Sequence, residues 1–170
     1  ALKDGSLGDV DLQISLIDEM DMRIPVRRLL RLHGKGKKVI VCFAGVQSNQ
    51  FPRAADLSKT LRRHGIAVLI GGFHVSGILA SGLPVPPDIQ KLLDIGVTVV
   101  KGEVEDVWSQ LLAAAIRGDL QPLYSFLDRR PELAAAPIPQ IPKAHLKYFV
   151  STNFGAIDCG RGCPFRCSFC

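Results

Sequence analysis

The chain has 170 residues, 47% hydrophobic and 22% charged, which is the balance of a globular protein of about one domain plus an extension. Its apolar runs break well before the ~18 residues that a membrane-spanning helix needs, so no membrane partner is expected. The net charge of +5 sits in small clusters (Arg27-Arg28 with Arg31, Lys35 with Lys37-Lys38, Arg62-Arg63, Arg129-Arg130), and no aromatic RNA-binding motif accompanies them, so nucleic acid is not an expected partner either.

Residues 1–8 have neither the basic start nor the apolar stretch of a signal peptide. Residues 10–17 alternate apolar and polar side chains and predict a strand. Residues 24–32, with Pro25 near their start, have helical apolar spacing, and Gly34-Lys35-Gly36 breaks that helix. Residues 39–43 form a continuous apolar run rich in β-branched side chains, the signature of a strand covered on both faces. Cys42 within it reads as a small buried hydrophobe. A polar loop over 45–50 leads into a predicted helix over 53–63, ended by His64-Gly65.

The cycle then repeats. Residues 66–70 predict a strand and Gly71-Gly72 a turn. Pro86-Pro87-Asp88 opens a short helix through Leu93, stopped near Gly96, and residues 97–100 predict the next strand. Residues 103–116 predict the clearest helix, with an acidic first turn, an apolar face of Val107, Leu111 and Leu112, and Arg117-Gly118 at its end. His33 and His64, each just before a glycine, read as C-terminal caps. Strands alternating with helices at this pitch mean βαβ units, hence an α/β fold with a mostly parallel sheet and right-handed crossovers.

Over residues 118–142 the texture changes. Pro122, Pro131, Pro137, Pro139 and Pro142 crowd a stretch with little periodicity, which predicts a linker with a short helix near 123–127. Residues 146–150 and 154–157 look extended and lead into a cysteine loop. The expected division is an α/β domain over 1–118, a linker over 119–145 and the start of a second domain over 146–170.

Four of the five cysteines fall within the last twelve residues. Crowded cysteines without a secretory signal point to metal binding in a reducing cytoplasm, not to disulfides. The chain lacks an initiator Met and its last residue is itself a candidate ligand, so a piece of a longer protein is expected. In Cys163-Pro-Phe-Arg-Cys167-Ser-Phe-Cys170, three thiolates within eight residues can hold three irons of a cubic cluster. The fourth iron then stays open, the logic of a catalytic and not a structural metal position. Gly160 and Gly162 permit the backbone angles of such a loop, Pro164 stiffens it, and Phe169 would shield the cluster. A zinc knuckle would need a fourth ligand, and only Cys159 or His145 is on offer. The even spacing of Cys159, Cys163 and Cys167 leaves open which three bind.

This motif resembles that of the radical S-adenosylmethionine (SAM) superfamily, Cys-x3-Cys-x2-Cys with an aromatic before the last Cys, as Phe169 is here. The resemblance implies a [4Fe–4S] cluster on Cys163, Cys167 and Cys170, with Cys159 a bystander. It implies that the open iron chelates SAM, that an electron from the cluster cleaves SAM to methionine and a 5′-deoxyadenosyl radical, and that a donor such as flavodoxin or ferredoxin supplies the electron. It also implies that residues 146–170 begin a (β/α) barrel, here truncated.

In an open parallel sheet, ligands bind beyond the carboxyl ends of the strands. Three loops there carry suitable residues: Gln47, Ser48 and Asn49 after the first strand, Gly71 to Ser76 after the second, and Lys101 to Glu105 after the third. Paired glycines let a ligand approach the backbone, and free N–H groups favour phosphate or amide oxygens. The pattern resembles the cobalamin-binding domain found in front of many radical SAM domains. Gly71, Gly72 and His74 match its Gly-Gly-x-His loop, and Gly102, Glu103 and Glu105 its acidic loop, with Val104 where Gly is common. The likeness covers about residues 39–118 and 160–170.

That resemblance implies a Rossmann-like, flavodoxin-like domain whose loops surround the nucleotide tail of cobalamin, with Ser48, Gly71, Gly72, His74, Ser76, Gly102 and Glu103 as candidate contacts. Plainer readings stand beside it: Gly-Gly as a turn, His74 as a hydrogen-bonded loop histidine, Glu103 and Glu105 as first-turn helix residues. The Asp-x-His-x-x-Gly cobalt-ligand motif is not in the sequence, and its strand–helix turn is expected before Ala1. The implied function is the N-terminal part of a cobalamin-dependent radical SAM enzyme, methyl transfer being one such reaction. Its rivals are a radical SAM cyclase or methylthiotransferase without functional cobalamin, and a non-enzymatic ligand-sensing module with an iron–sulfur site. No catalytic residue and no substrate can be read here, because barrel residues would contact the substrate.

Overall fold

The computed structural model describes residues 7, 10–19, 22–129, 131–132 and 134. All of them belong to the unit Ala1–Pro137. The extended segments predicted at 146–150 and 154–157, most of the predicted linker, and Cys159, Cys163, Cys167 and Cys170 lie outside the described residues.

In chain order the elements are α1 (Val26–Gly34), β1 (Ile40–Phe43), α2 (Phe51–Arg63), β2 (Ala67–Gly71), α3 (Phe73–Ala80), α4 (Pro87–Asp94), β3 (Thr98–Gly102), α5 (Trp108–Arg117) and β4 (Leu123–Phe126). The four strands form one sheet in the order β1-β2-β3-β4. Every pair is parallel, with Phe43 opposite Ile70, Gly71 opposite Val100, and Gly102 opposite Phe126. Helices connect each strand to the next, so this is a Rossmann-like α/β arrangement. All strand ends of one kind therefore open on the same edge.

Period-two geometry sends neighbouring side chains of each strand to opposite faces. Val68, Ile70 and Val99 enter one core with Leu61, Val75, Ile89 and Leu92. Leu69 and Val100 enter the other, with Val107, Leu111 and Ala115. Fully burying each Leu, Ile or Val contributes about 1.5–3 kcal/mol, and β2 and β3 supply such residues to both faces. That double covering explains why these strands read as unbroken apolar runs.

Several expectations fail for identifiable reasons. Residues 10–17 form no strand, and Ile14 and Leu16 are exposed. Alternation creates an apolar face but not the neighbouring backbone that a strand must pair with. The segment that follows is held to α2 instead: Arg53 Nη2 and Nε reach the two Glu19 oxygens at 3.0 and 3.2 Å. The Arg53 hydrogen bond holds the Glu19 carboxyl below its ordinary pKa. Cys42 is exposed, not buried, because it stands on the face of β1 opposite Val41 and Phe43, which pack against the core. The helix predicted from residue 103 starts at Trp108, and residues 103–107 form a turn closed by Val107 N–H to Val104 O at 3.0 Å. Residues 123–126 are a strand and not a helix. Val99 N–H donates to Pro122 O at 2.8 Å and Thr98 Oγ1 to Gln121 O at 3.0 Å, and these bonds draw the segment beside β3. The sheet thus continues past residue 118. His64 is the C-cap of α2, as expected, but α1 runs to Gly34 with Lys35 as its C-cap, so His33 lies inside its last turn.

Candidate functional site

The turn after β2 is built against the loop after β1. Val46 N–H donates to Gly71 O at 3.1 Å, and His74 N–H donates to Val46 O at 3.0 Å. This stitching presses the two loops together around Gly72, whose φ is +132°. A Cβ at Gly72 would lie 2.1 Å from Val46 N and 2.5 Å from Gly45 C. At Gly102, φ +94°, a Cβ would lie 2.5 Å from Phe126 C and 2.7 Å from its carbonyl oxygen. A Cβ at either glycine would thus meet the chain's own backbone. Both glycines are required by the fold, whatever else they serve.

His74 sits in the first turn of α3. Its ring stacks on Phe51 with centroids 4.1 Å apart. Nδ1 is 3.1 Å from Ser48 Oγ, so the histidine ties α3 to the β1 loop. Nε2 is buried, makes no hydrogen bond, and lies 3.9 Å from Asp88 Oδ2. Ser76 accepts the Gly102 N–H on its Oγ at 3.0 Å and ties α3 to the end of β3. That amide is therefore committed and not free for an anion. The structure thus groups Ser48, Gly72 and His74 around one turn, and Ser76 with Gly102 at the next. Glu103 is half-buried and Glu105 exposed, and both stand in the turn before α5, not in the helix.

Gln47, Ser48 and Asn49 are exposed at this edge and offer hydroxyl and amide groups. Phe73, directly after Gly72, is 77% exposed and presents a bare apolar ring. Sequence reasoning passed over it, although an aromatic immediately after a strand-end Gly-Gly was the available signal. Phe51 and Asp88 were missed as partners of His74 because they lie far from it in sequence.

Two cavities lie away from these loops. One, of about 280 Å3, is lined by His33, Lys38, Arg62, Gly96 and Thr98 at the amino ends of the strands. The other, of about 550 Å3, is lined by Lys59, Arg62, Arg63, Lys91 and Asp94. Of their cations, Arg62 and Arg63 stand in the last turn of α2 and Lys91 in that of α4, where the helix dipole favours positive charge. Among the described residues no group of three or more His, Cys, Asp or Glu could hold a metal ion. Among them, too, no helix is long and apolar enough to cross a membrane.

Fold and loops together define a Rossmann-like α/β domain with a polar, aromatic-edged surface at the carboxyl ends of its strands. No protein-family profile matches the chain. No solved structure matches it. The chain is similar to bacteriochlorophyllide d C-8(2)-methyltransferase of Chlorobaculum tepidum, with 31% identity over 121 residues, 69% of this chain and 25% of that protein. It spans about a quarter of the length of this curated relative.

Proposed function

We propose that the chain is part of a cobalamin-dependent radical SAM enzyme, a methyltransferase, whose α/β domain takes cobalamin at the carboxyl edge of its sheet. One observation carries the reading. The Ser48 loop, the Gly71-Gly72-x-His74 turn and the Gly102-Glu103 turn share one edge of a parallel sheet, and a Cys163-x3-Cys167-x2-Cys170 motif follows in sequence. Similarity to a protein named as a methyltransferase favours methyl transfer over other radical chemistry.

The residues present suit the ligand. Ser48, Gln47 and Asn49 offer hydrogen-bonding groups to its amides and nucleotide tail, and Phe73 offers an apolar face. Gly72 and His74 act through the loop: the glycine allows the tight turn, and the imidazole holds Ser48 in place. Cys163, Cys167 and Cys170 would hold the [4Fe–4S] cluster. When bound, cluster and SAM would supply radical chemistry, and cobalamin a methyl carrier. The enzyme would work in the cytoplasm with a flavodoxin- or ferredoxin-type electron donor.

Titration of the chain with hydroxocobalamin, followed by visible absorbance, tests this reading. Saturable binding is expected. Ser48→Ala should weaken it about threefold to tenfold, the usual cost of one hydrogen bond, with the far-ultraviolet dichroism unchanged. Absence of saturable binding by the folded chain contradicts the proposal.

A further inference from the structure

Ser48, His74 and Asp88 form a line of contacts that runs from the start of α4 to the strand-end surface. Asp88 Oδ1 accepts the N–H of Ile89 at 2.9 Å. That bond orients the carboxylate and leaves Oδ2 facing His74, 3.9 Å from Nε2. Nε2 is buried and makes no hydrogen bond. On the other side of the ring, Nδ1 is 3.1 Å from Ser48 Oγ. Phe51 stacks on the ring and limits its rotation.

A neutral imidazole carries one N–H and one lone pair. A lone pair at Nε2 would face the negative Asp88 oxygen and be repelled, whereas an N–H there is attracted. The Nε2 atom is itself buried, so this difference persists at its end of the contact, although the Asp88 side chain is 53% exposed and solvent screens its charge in part. This favours the hydrogen on Nε2, the tautomer that leaves Nδ1 as an acceptor. The group facing Nδ1 is the Ser48 hydroxyl, which must then donate its only hydrogen inward. What Ser48 shows to solvent is a pair of acceptor sites and no donor.

We infer that Asp88 is a positioning residue that fixes the tautomer of His74 and so makes Ser48 an obligate acceptor toward the ligand. The strand-end surface then selects, at Ser48, a ligand group that donates a hydrogen bond, such as a primary amide or a hydroxyl, and disfavours one that only accepts. The identity of that ligand rests on the proposed function, but the tautomer does not.

The test is a nitrogen-15 spectrum of the imidazoles in the unliganded full chain at pH 8, where free histidine is neutral, with His74→Gln assigning the signals. Wild-type His74 is expected to show a protonated Nε2 and an unprotonated Nδ1. In Asp88→Asn a substantial share of Nδ1-protonated ring should appear. A protonated Nδ1 in the wild-type chain overturns the inference, and this reading needs no variant to fold. So does an Asp88→Asn spectrum identical to the wild type. In a second arm, Asp88→Asn should bind hydroxocobalamin about threefold to tenfold more weakly, while Ser48→Thr, which keeps the hydroxyl, stays within about twofold of the wild type. Full affinity in Asp88→Asn overturns the selection at Ser48. If the wild-type chain binds no hydroxocobalamin yet shows the expected tautomer, the cobalamin reading fails and the role of Asp88 stands.

Discussion

Gly72→Ala should cost about 3–5 kcal/mol, the sum of strained backbone and overpacking, and so remove much of the chain's stability before any ligand is added. The added Cβ would lie 2.1 Å from Val46 N and 2.5 Å from Gly45 C. Both are backbone atoms, so no side chain can swing aside to relieve the clash. Moving the loop would break Val46 N–H to Gly71 O and His74 N–H to Val46 O, and would expose Val46, which is only 5% accessible. A φ of +132° adds strain for any residue with a side chain. Gly45→Ala is the control. Its φ is +66°, but no atom lies within 4 Å of its Cβ, so only about 1–2 kcal/mol of backbone strain is expected. Urea unfolding of the cobalamin-free proteins reads both values. A wild-type midpoint for Gly72→Ala would mean that this glycine is kept for a ligand and not for the fold.

Replacing Cys163, Cys167 or Cys170 by Ala should abolish cluster assembly, whereas Cys159→Ala should leave it intact. Anaerobic reconstitution should give the wild-type chain about four irons and as many sulfides. Each of the three variants should retain less than about one iron, because two remaining thiolates cannot hold a cube. Cys159 separates this arrangement from a zinc knuckle, which needs four ligands and would have to recruit it or His145. Zinc in place of iron, or loss of the metal in Cys159→Ala alone, would show that the wrong triad was chosen.

How much of this was legible in the sequence depended on whether the deciding contact was local. The strands near 66–70 and 97–100 could be read because residues such as Val68, Leu69 and Ile70 are buried on both faces and leave an apolar run. The helix Phe51–Arg63 was found to within two residues at its start. α3 was missed because Phe73–Ala80 is apolar nearly all round and contains Gly77, so no helical stripe shows. β4 was hidden by the prolines around it, since pairing with β3, not its own pattern, makes Leu123–Phe126 a strand. That the candidate residues stand at the strand ends was readable, but the contacts among them were not. Ser48 and His74 are 26 residues apart, and nothing local indicates that the hydroxyl meets the ring. Glycine at 72 and 102 was visible, but not that Val46 and Phe126 occupy the space beside it.

The proposed function requires that an iron–sulfur site of the radical SAM type belong with this α/β domain. The most direct test is electron paramagnetic resonance of the reconstituted, chemically reduced protein, recorded with and without SAM. A [4Fe–4S] signal whose shape changes saturably as SAM is added is expected, because a cluster held by Cys163, Cys167 and Cys170 would leave one iron open to chelate it. A cluster signal indifferent to SAM would contradict the proposed function and leave a structural or redox cluster beside a ligand-sensing domain.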